Sequence, residues 1–331
     1  MAQNDLDCKL NMLLIGPQIG MLLFSALEHN IPALLAEGPK TASQLSELTS
    51  TVSDKLERAL LQLVSVGLFS YNPNTNIFSN SPLSERFLEK NLANLYKFSL
   101  SPWKFETLTC IPGCLSSNFT APELKFHQSM DESMSLIPGT LEIYHEGMAG
   151  VTNLNSREVA LAIDLRSSHK IIDIGGGDGT LLIELSKIYP NLEFTLFEQP
   201  QIRDIALKKI NQAGKQINFI AGSCFESIPS GFDTYIIKHV LYSYPDDKVM
   251  EFLGKCRQSL NVGNRLVIIE LMLEIGQSTL LERYLDVHLM ILNNGKIRSR
   301  GQLESLLKAN HFRVLNFSSA GSDYVLESVA I

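Results

Sequence analysis

Apolar positions in the first third of the chain recur at helical spacing. In "GPQIGMLLFSALEHNIPALLAEG" the residues Ile19, Leu22, Leu23, Ala26 and Leu27 share one face, and Gly38-Pro39 closes the segment. Thr41 stands where it can cap a short helix. "STVSDK" makes a turn, and Ser53 stands to cap a second helix carrying Leu56, Leu60, Leu63 and Val64. Gly67 ends that helix, and a hairpin is expected around "NPNTN". Helix, turn, helix and hairpin in this order predict a winged-helix-like unit. Residues 84–165 read as more helices, with polar turns at "SSNFTAPE" and "SLIPGT".

From His169 the pattern changes to strands alternating with helices. "KIIDIGG", "LEFTLFEQP", "INFIAGS", "FDTYIIKHVL" and "RLVIIELML" read as strands. "GTLLIELSKIYP", "QIRDIALKKINQAG" and "DDKVMEFLGKCRQSL" read as helices between them. Strands apolar on both faces and separated by helices predict a doubly wound, Rossmann-like α/β domain with a parallel sheet. The boundary is expected within 150–168, which gives a helical unit over 1–150 and an α/β domain over 151–331.

Length and composition agree with two soluble domains: 331 residues, 45% apolar and 19% charged. Against 28 basic residues stand 35 acidic ones, a net charge of −7 that disfavours nucleic acid as a partner. The second helix of the winged unit offers Lys55, Arg58 and Gln62, but Asp54 and Glu57 offset them, so it lacks the cationic face of a DNA reader. Five scattered cysteines (Cys8, Cys110, Cys114, Cys224, Cys256) read as free thiols of a reducing cytoplasm. Cys110 and Cys114 have no second Cys/His pair at zinc spacing, so no metal site is expected. Gly16, Pro17 and Gln18 break the N-terminal apolar run, and neither a signal peptide nor a membrane span is expected.

The strongest chemical signal is "IIDIGGGDGTLLIEL". A strand ends at Asp173, and Gly175, Gly177 and Gly179 follow at alternate positions before a helix begins. Glycines there let the backbone approach a ligand, and the helix start aims amides at it. The dinucleotide fingerprint Gly-x-Gly-x-x-Gly is excluded because position 180 is Thr. The alternate-glycine form suits a nucleoside with an amino-acid tail. Glu198 ends the next strand, 19 residues after Gly179, where a carboxylate can accept both ribose hydroxyls. "AGSCFESIP", with Ser223, Cys224 and Phe225, follows the third strand and is expected beside an adenine.

With "DIGGGDGT", "GSCFESIP", "KHVLYSYPDD" and "DVHLMILNNGKIRS" in this order, the chain resembles the S-adenosylmethionine-dependent small-molecule O-methyltransferases over nearly its whole length. Its layout is most similar to bacterial members acting on aromatic natural products, such as the phenazine type. The resemblance implies a homodimer formed through the N-terminal unit, which also lines the acceptor pocket. It implies S-adenosylmethionine held by Asp173, Gly175, Gly177, Asp178, Glu198, Ser223, Cys224, Phe225 and Lys238, and methylation of an oxygen or nitrogen on a small aromatic metabolite.

The resemblance also exposes departures. Plant members carry Lys-Trp-x-x-His-Asp-Trp, with the His as base, and this chain sets Lys238 on the Lys, Tyr242 on the His and Tyr244 on the Trp. Glu270 matches the first supporting Glu; Ile297 replaces the second, and Ser223 stands where an adenine-binding Asp is usual. A tyrosine titrating near 10 is a poor base at neutral pH, so packing or orientation is the expected role of Tyr242. His239, His288, His145 and Asp286 are the other polar candidates. Trp103, Phe126, Tyr144, Met148 and Met290 are candidates for an apolar acceptor wall. Two competing functions stay open: a relative that binds the cofactor but catalyses a rearrangement, pericyclic step or hydroxylation, and a winged-helix DNA-binding regulator.

Overall fold

The computed structural model describes residues 3–153, 155–274, 276 and 278–331, without the side chains of 3–5, 8, 145 and 149–153. By contacts the chain divides into two compact units, 1–109 with 131–150 and 110–130 with 151–331. In this division the segment 110–130 groups with the second unit.

In the first unit Thr41 caps the helix Ala42–Thr49 in a reciprocal capping box with Gln44. The next helix, Ser53–Ser65, departs from expectation: its cap is Val52, with no side-chain bond, and Ser53 is already inside the first turn. The chain leaves this helix through Gly67, whose amide and that of Leu68 return to Val64 and Leu63. Strands β2 (Phe69–Asn72) and β3 (Ile77–Asn80) form the expected hairpin, and β1 (Lys40–Thr41) adds to the outer side of β3. Leu27, Ile31, Leu45, Leu60, Leu63 and Phe78 form its core. The first helix, Gln3–Glu28, lies partly outside that core. Its stretch Lys9–Glu28 is long and apolar enough to cross a membrane by length and composition, yet only 17% of it is buried. Leu10, Leu13 and Leu14 are 64%, 78% and 78% exposed.

The second unit holds a seven-stranded sheet in the order β6-β5-β4-β7-β8-β10-β9. The strands are β4 (Lys170–Ile174), β5 (Glu193–Glu198), β6 (Asn218–Ala221), β7 (Thr234–Lys238), β8 (Arg265–Glu270), β9 (Phe312–Ala320) and β10 (Asp323–Ala330). β4 to β8 are parallel, as expected. β9 and β10 are antiparallel additions that the sequence reading stopped short of.

Residues along each central strand alternate between two cores. Ile172, Ile174, Tyr235, Ile237, Leu266 and Ile268 pack with the helices Asp246–Ser259 and Arg300–Ala309. Ile171, Ile236, Val267 and Ile269 pack with Ser156–Ala162, Thr180–Ile188 and Arg203–Gln212. Each fully buried aliphatic side chain contributes ~1.5–3 kcal/mol, so the β4–β7 centre is the rigid part of this unit. At β4 the sheet order reverses, with β5 on one side and β7 on the other. The crevice beyond the carboxyl ends of such strands is where α/β sheets take ligands.

Candidate active site

The glycine loop leaves the carboxyl end of β4. The Gly175 amide donates to the Phe197 carbonyl at 2.8 Å, which ties the loop to β5. A β-carbon at Gly176 would collide with the Asp173 carboxylate, so the backbone there must be bare. At Gly177 the backbone is left-handed, φ 57, and an added β-carbon would meet no atom within 4 Å: the loop borders open space. The Gly177 amide donates to Glu198 Oε2 at 3.0 Å, and Gln199 donates to Oε1 at 2.7 Å. The acid at the end of β5 is therefore fixed against the loop. Asp178 is already engaged, accepting from the Thr180 amide (3.1 Å), the Thr180 hydroxyl (2.6 Å) and Lys209 Nζ (2.5 Å).

Asp173 is the anomaly of this region. It has no solvent exposure, and neither carboxylate oxygen has a hydrogen-bond partner among the described residues. Burial pushes its carboxyl up to about 7, only partly opposed by the Lys238 charge. Burial lowers Lys238 in turn, against the pull of Asp323 and Asp173. A buried acid without donors calls for a cationic or N–H partner. The bare loop, the orphaned Asp173 and the anchored Glu198 fit S-adenosylmethionine, which offers an ammonium, a ribose diol and a cationic sulfur. Burial first, then the Glu198 charge, pushes the Cys224 thiol up to about 11, so it stays neutral at pH 7. The Phe225 amide meets the Ser223 hydroxyl at 3.3 Å, and the Phe225 ring lies edge-on to Tyr244 at 4.7 Å. That contact joins the segment after β6 to "KHVLYSYPDD".

After β7, a single helical turn, Leu241–Ser243, carries Tyr242. Glu270, at the end of β8, accepts the Leu241 amide at 2.7 Å, and burial pushes its carboxyl up to about 8. It supports the backbone where the family pattern has it support a histidine. On the other side Arg298, 4% exposed, donates to the carbonyls of Leu241 (3.0 Å), Tyr244 (2.8 Å) and Lys296 (3.1 Å) and to Asp246 (2.8 Å). The Lys296 amide donates to the Tyr242 carbonyl at 2.8 Å. His239 Nε2 lies 2.8 Å from Asp323 Oδ1, and the His239 ring centre is 5.5 Å from that of Tyr242.

The remaining candidates are divided between the units. Trp103 and Tyr144 belong to the first, each against Phe98, and Trp103 Nε1 donates to the Ser133 hydroxyl at 3.2 Å. Burial pushes Tyr144 up to about 12. Met148, half-buried, is on the helix Thr140–Asn153 of the same unit. Phe126 ends the helix Ala121–Phe126 of the second unit. On the helix Leu280–Asn293 of that unit, His288 packs against Tyr284 with ring centres 5.5 Å apart, and Met290 is half-buried. Asp286, on the same helix, accepts the Ile297 amide at 2.9 Å and so braces the "NGKIRS" turn. The side chain of His145 lies outside the described residues. Arg298, Asp323 and Lys209 were missed from sequence; an arginine within the buried turn after Ile297 was the one available signal.

Comparison with known proteins bears on this geometry. An O-methyltransferase domain model matches residues 125–313, and an O-methyltransferase dimerisation domain model matches 13–90. The mitomycin biosynthesis 6-O-methyltransferase of Streptomyces lavendulae is 30% identical over 315 residues, covering 92% of this chain and 88% of that protein. The phenazine O-methyltransferase PhzM of Lysobacter antibioticus is 25% identical over 304 residues, covering 91% and 89%. The solved structure of the mitomycin 7-O-methyltransferase MmcR superimposes with a TM-score of 0.94 at 26% identity, over 99% of both chains. The glycine loop, its anchored acid and both domain matches agree: this chain belongs to the O-methyltransferase family, with its methyltransferase and dimerisation domains in one polypeptide.

Proposed function

We propose that the chain is an S-adenosylmethionine-dependent methyltransferase that methylates an oxygen of a small aromatic secondary metabolite, by alignment and without a histidine base. The observation that carries this reading is the glycine loop, with Asp173 orphaned beneath it and Glu198 bound to Gly177. Natural-product O-methyltransferases among its relatives, for mitomycin and phenazine compounds, support the acceptor class. S-adenosylmethionine, when bound, supplies a methyl group on a cationic sulfur that an acceptor oxygen can displace in line.

The chain's own contribution is to hold the partners and exclude water. Asp173 and Glu198 would take the ammonium and the ribose hydroxyls, with Cys224 and Phe225 along the base. Tyr242 would orient the acceptor through its ring, on a turn that Glu270 and Arg298 hold rigid. Glu270, titrating at about 8, keeps its proton at neutral pH and is unsuited to take one from the acceptor. Phe126 and Met290 would supply apolar contacts, and His288 a polar edge. We also assign the chain a homodimeric state and a cytoplasmic location. The exposed leucines of the first helix are the face a second copy would cover, and Cys114, Cys224 and Cys256 are free thiols.

Radiolabelled S-adenosylmethionine with a panel of naphthols, phenols and N-heteroaromatics tests the reaction; label transferred to an oxygen is expected, and none across the panel would favour a non-methylating role. Within that assay Tyr242→Phe should keep at least about a third of wild-type kcat, and a loss near a thousandfold would make the hydroxyl essential. Asp173→Asn separates binding from stability. The acid titrates at 3.8 in the unfolded chain and about 7 in the fold, so its destabilising charge is absent below pH ~4 and fully present above pH ~7. Asp173→Asn should therefore melt higher than wild type at pH 8, by at most about 4 kcal/mol of stability, and equal it near pH 4. Its affinity for S-adenosylhomocysteine should fall at least tenfold; unchanged affinity would remove Asp173 from the cofactor site. Light scattering after gel filtration without detergent should give a dimer, and Leu13→Glu with Leu14→Glu should give a monomer. A wild-type monomer would contradict the assignment.

A further inference from the structure

The turn that carries Tyr242 starts from a residue in an unusual conformation. His239 has φ 57, in the left-handed region that side-chain-bearing residues rarely occupy. Such a conformation persists where the surroundings over-determine it. Here the His239 amide donates to the Ile269 carbonyl at 3.0 Å, and ring Nε2 lies 2.8 Å from Asp323 Oδ1. Asp323 has no solvent exposure; its Oδ2 accepts from Asn155 Nδ2 at 2.8 Å, and Lys238 Nζ stands 4.0 Å away.

The protonation of the pair follows from its setting. Burial opposes ionisation of Asp323, but the His239 bond, the Lys238 charge and, in acid where the imidazole is protonated, the His239 charge outweigh it and hold the carboxyl below its usual value. Burial lowers His239, only partly offset by Asp323, so the imidazole is neutral at pH 7. A neutral ring against a carboxylate must carry its proton on Nε2 and donate it. The ring is thereby fixed in tautomer and rotation. Its face, tilted 39° and 5.5 Å from the Tyr242 ring, is a backstop for that ring.

We infer that His239 and Asp323 are a positioning pair: Asp323 locks the His239 ring and the left-handed corner, and His239 sets the ring of Tyr242 that orients the acceptor. The inference rests on the reading of Tyr242 given above. His239 acts through Tyr242, not on the acceptor.

Substitutions at three positions and three readouts test it. His239→Gly permits the left-handed corner but deletes the ring. Asp323→Asn keeps the shape and removes the charge, and it covers the case in which His239→Gly does not fold. Tyr242→Ala removes the target. In protein labelled with 13C at tyrosine rings, with Tyr242 assigned by Tyr242→Phe, both His239→Gly and Asp323→Asn should shift the Tyr242 signals and leave the other tyrosines in place. His239→Gly should bind S-adenosylhomocysteine within about twofold of wild type. With the panel acceptor that turns over fastest, it should lower kcat about tenfold without raising KM for S-adenosylmethionine. In the Tyr242→Ala background the same substitution should cost less than twofold more. Unmoved Tyr242 signals in both variants, or losses that multiply in the double variant, would overturn the pair. If Tyr242→Ala alone leaves kcat unchanged, the reading of Tyr242 fails and the pair with it. If Tyr242→Ala loses rate and His239→Gly does not, the pair alone fails.

Discussion

The Arg298 guanidinium is the interaction on which the turn carrying Tyr242 depends. It is almost fully buried and spends its donors on three carbonyls, of Leu241, Tyr244 and Lys296, and on the Asp246 carboxylate. A buried carbonyl left without a donor costs ~1–3 kcal/mol, so the turn cannot rearrange without losing several such terms together. Glu270 holds the amide side of the same turn, and Gly295 lets the next segment come close enough for Lys296 to reach the Tyr242 carbonyl. The side chain at position 242 is thus carried on one of the most constrained pieces of backbone in the second unit.

That constraint explains how a residue can change there without the site dissolving. In the family pattern the supporting carboxylate serves a histidine; here Glu270 spends one oxygen on the Leu241 amide, and Ile297 replaces the second carboxylate with a buried apolar side chain. One carboxylate of that pattern is thus gone, while Asp173, Glu198 and Lys238 gather at the ends of β4, β5 and β7. Alignment needs rigid backbone and packed rings, and both are present. Proton abstraction needs a base poised near neutral pH, and Tyr242 is of the wrong chemical type for one.

Much of this was legible in the sequence, for a physical reason. The glycine loop, Glu198 and the parallel strands are encoded by local requirements: bare backbone, a strand-end acid, runs apolar on both faces. The capping of Ala42–Thr49 by Thr41 is equally local. What the sequence hid is long-range. Asp323 reaches His239 across 84 positions from a strand whose alternation was not read, and Arg298 reaches Leu241 across 57. Ser53 misled because a serine one position late occupies the first turn and cannot cap it. The sequence also did not show that Asp286 holds the Ile297 amide and that Asp178 holds Thr180 and Lys209.

The central claim is that methyl transfer here relies on alignment of an acceptor that ionises by itself. The direct measurement is the pH dependence of kcat/KM for a series of substituted naphthols or phenols of differing acidity. The account predicts that the apparent pKa of the profile moves with the acceptor, tracking its own hydroxyl through the series. One enzyme-borne pKa, the same for every acceptor and near neutrality, would reveal a general base and contradict it.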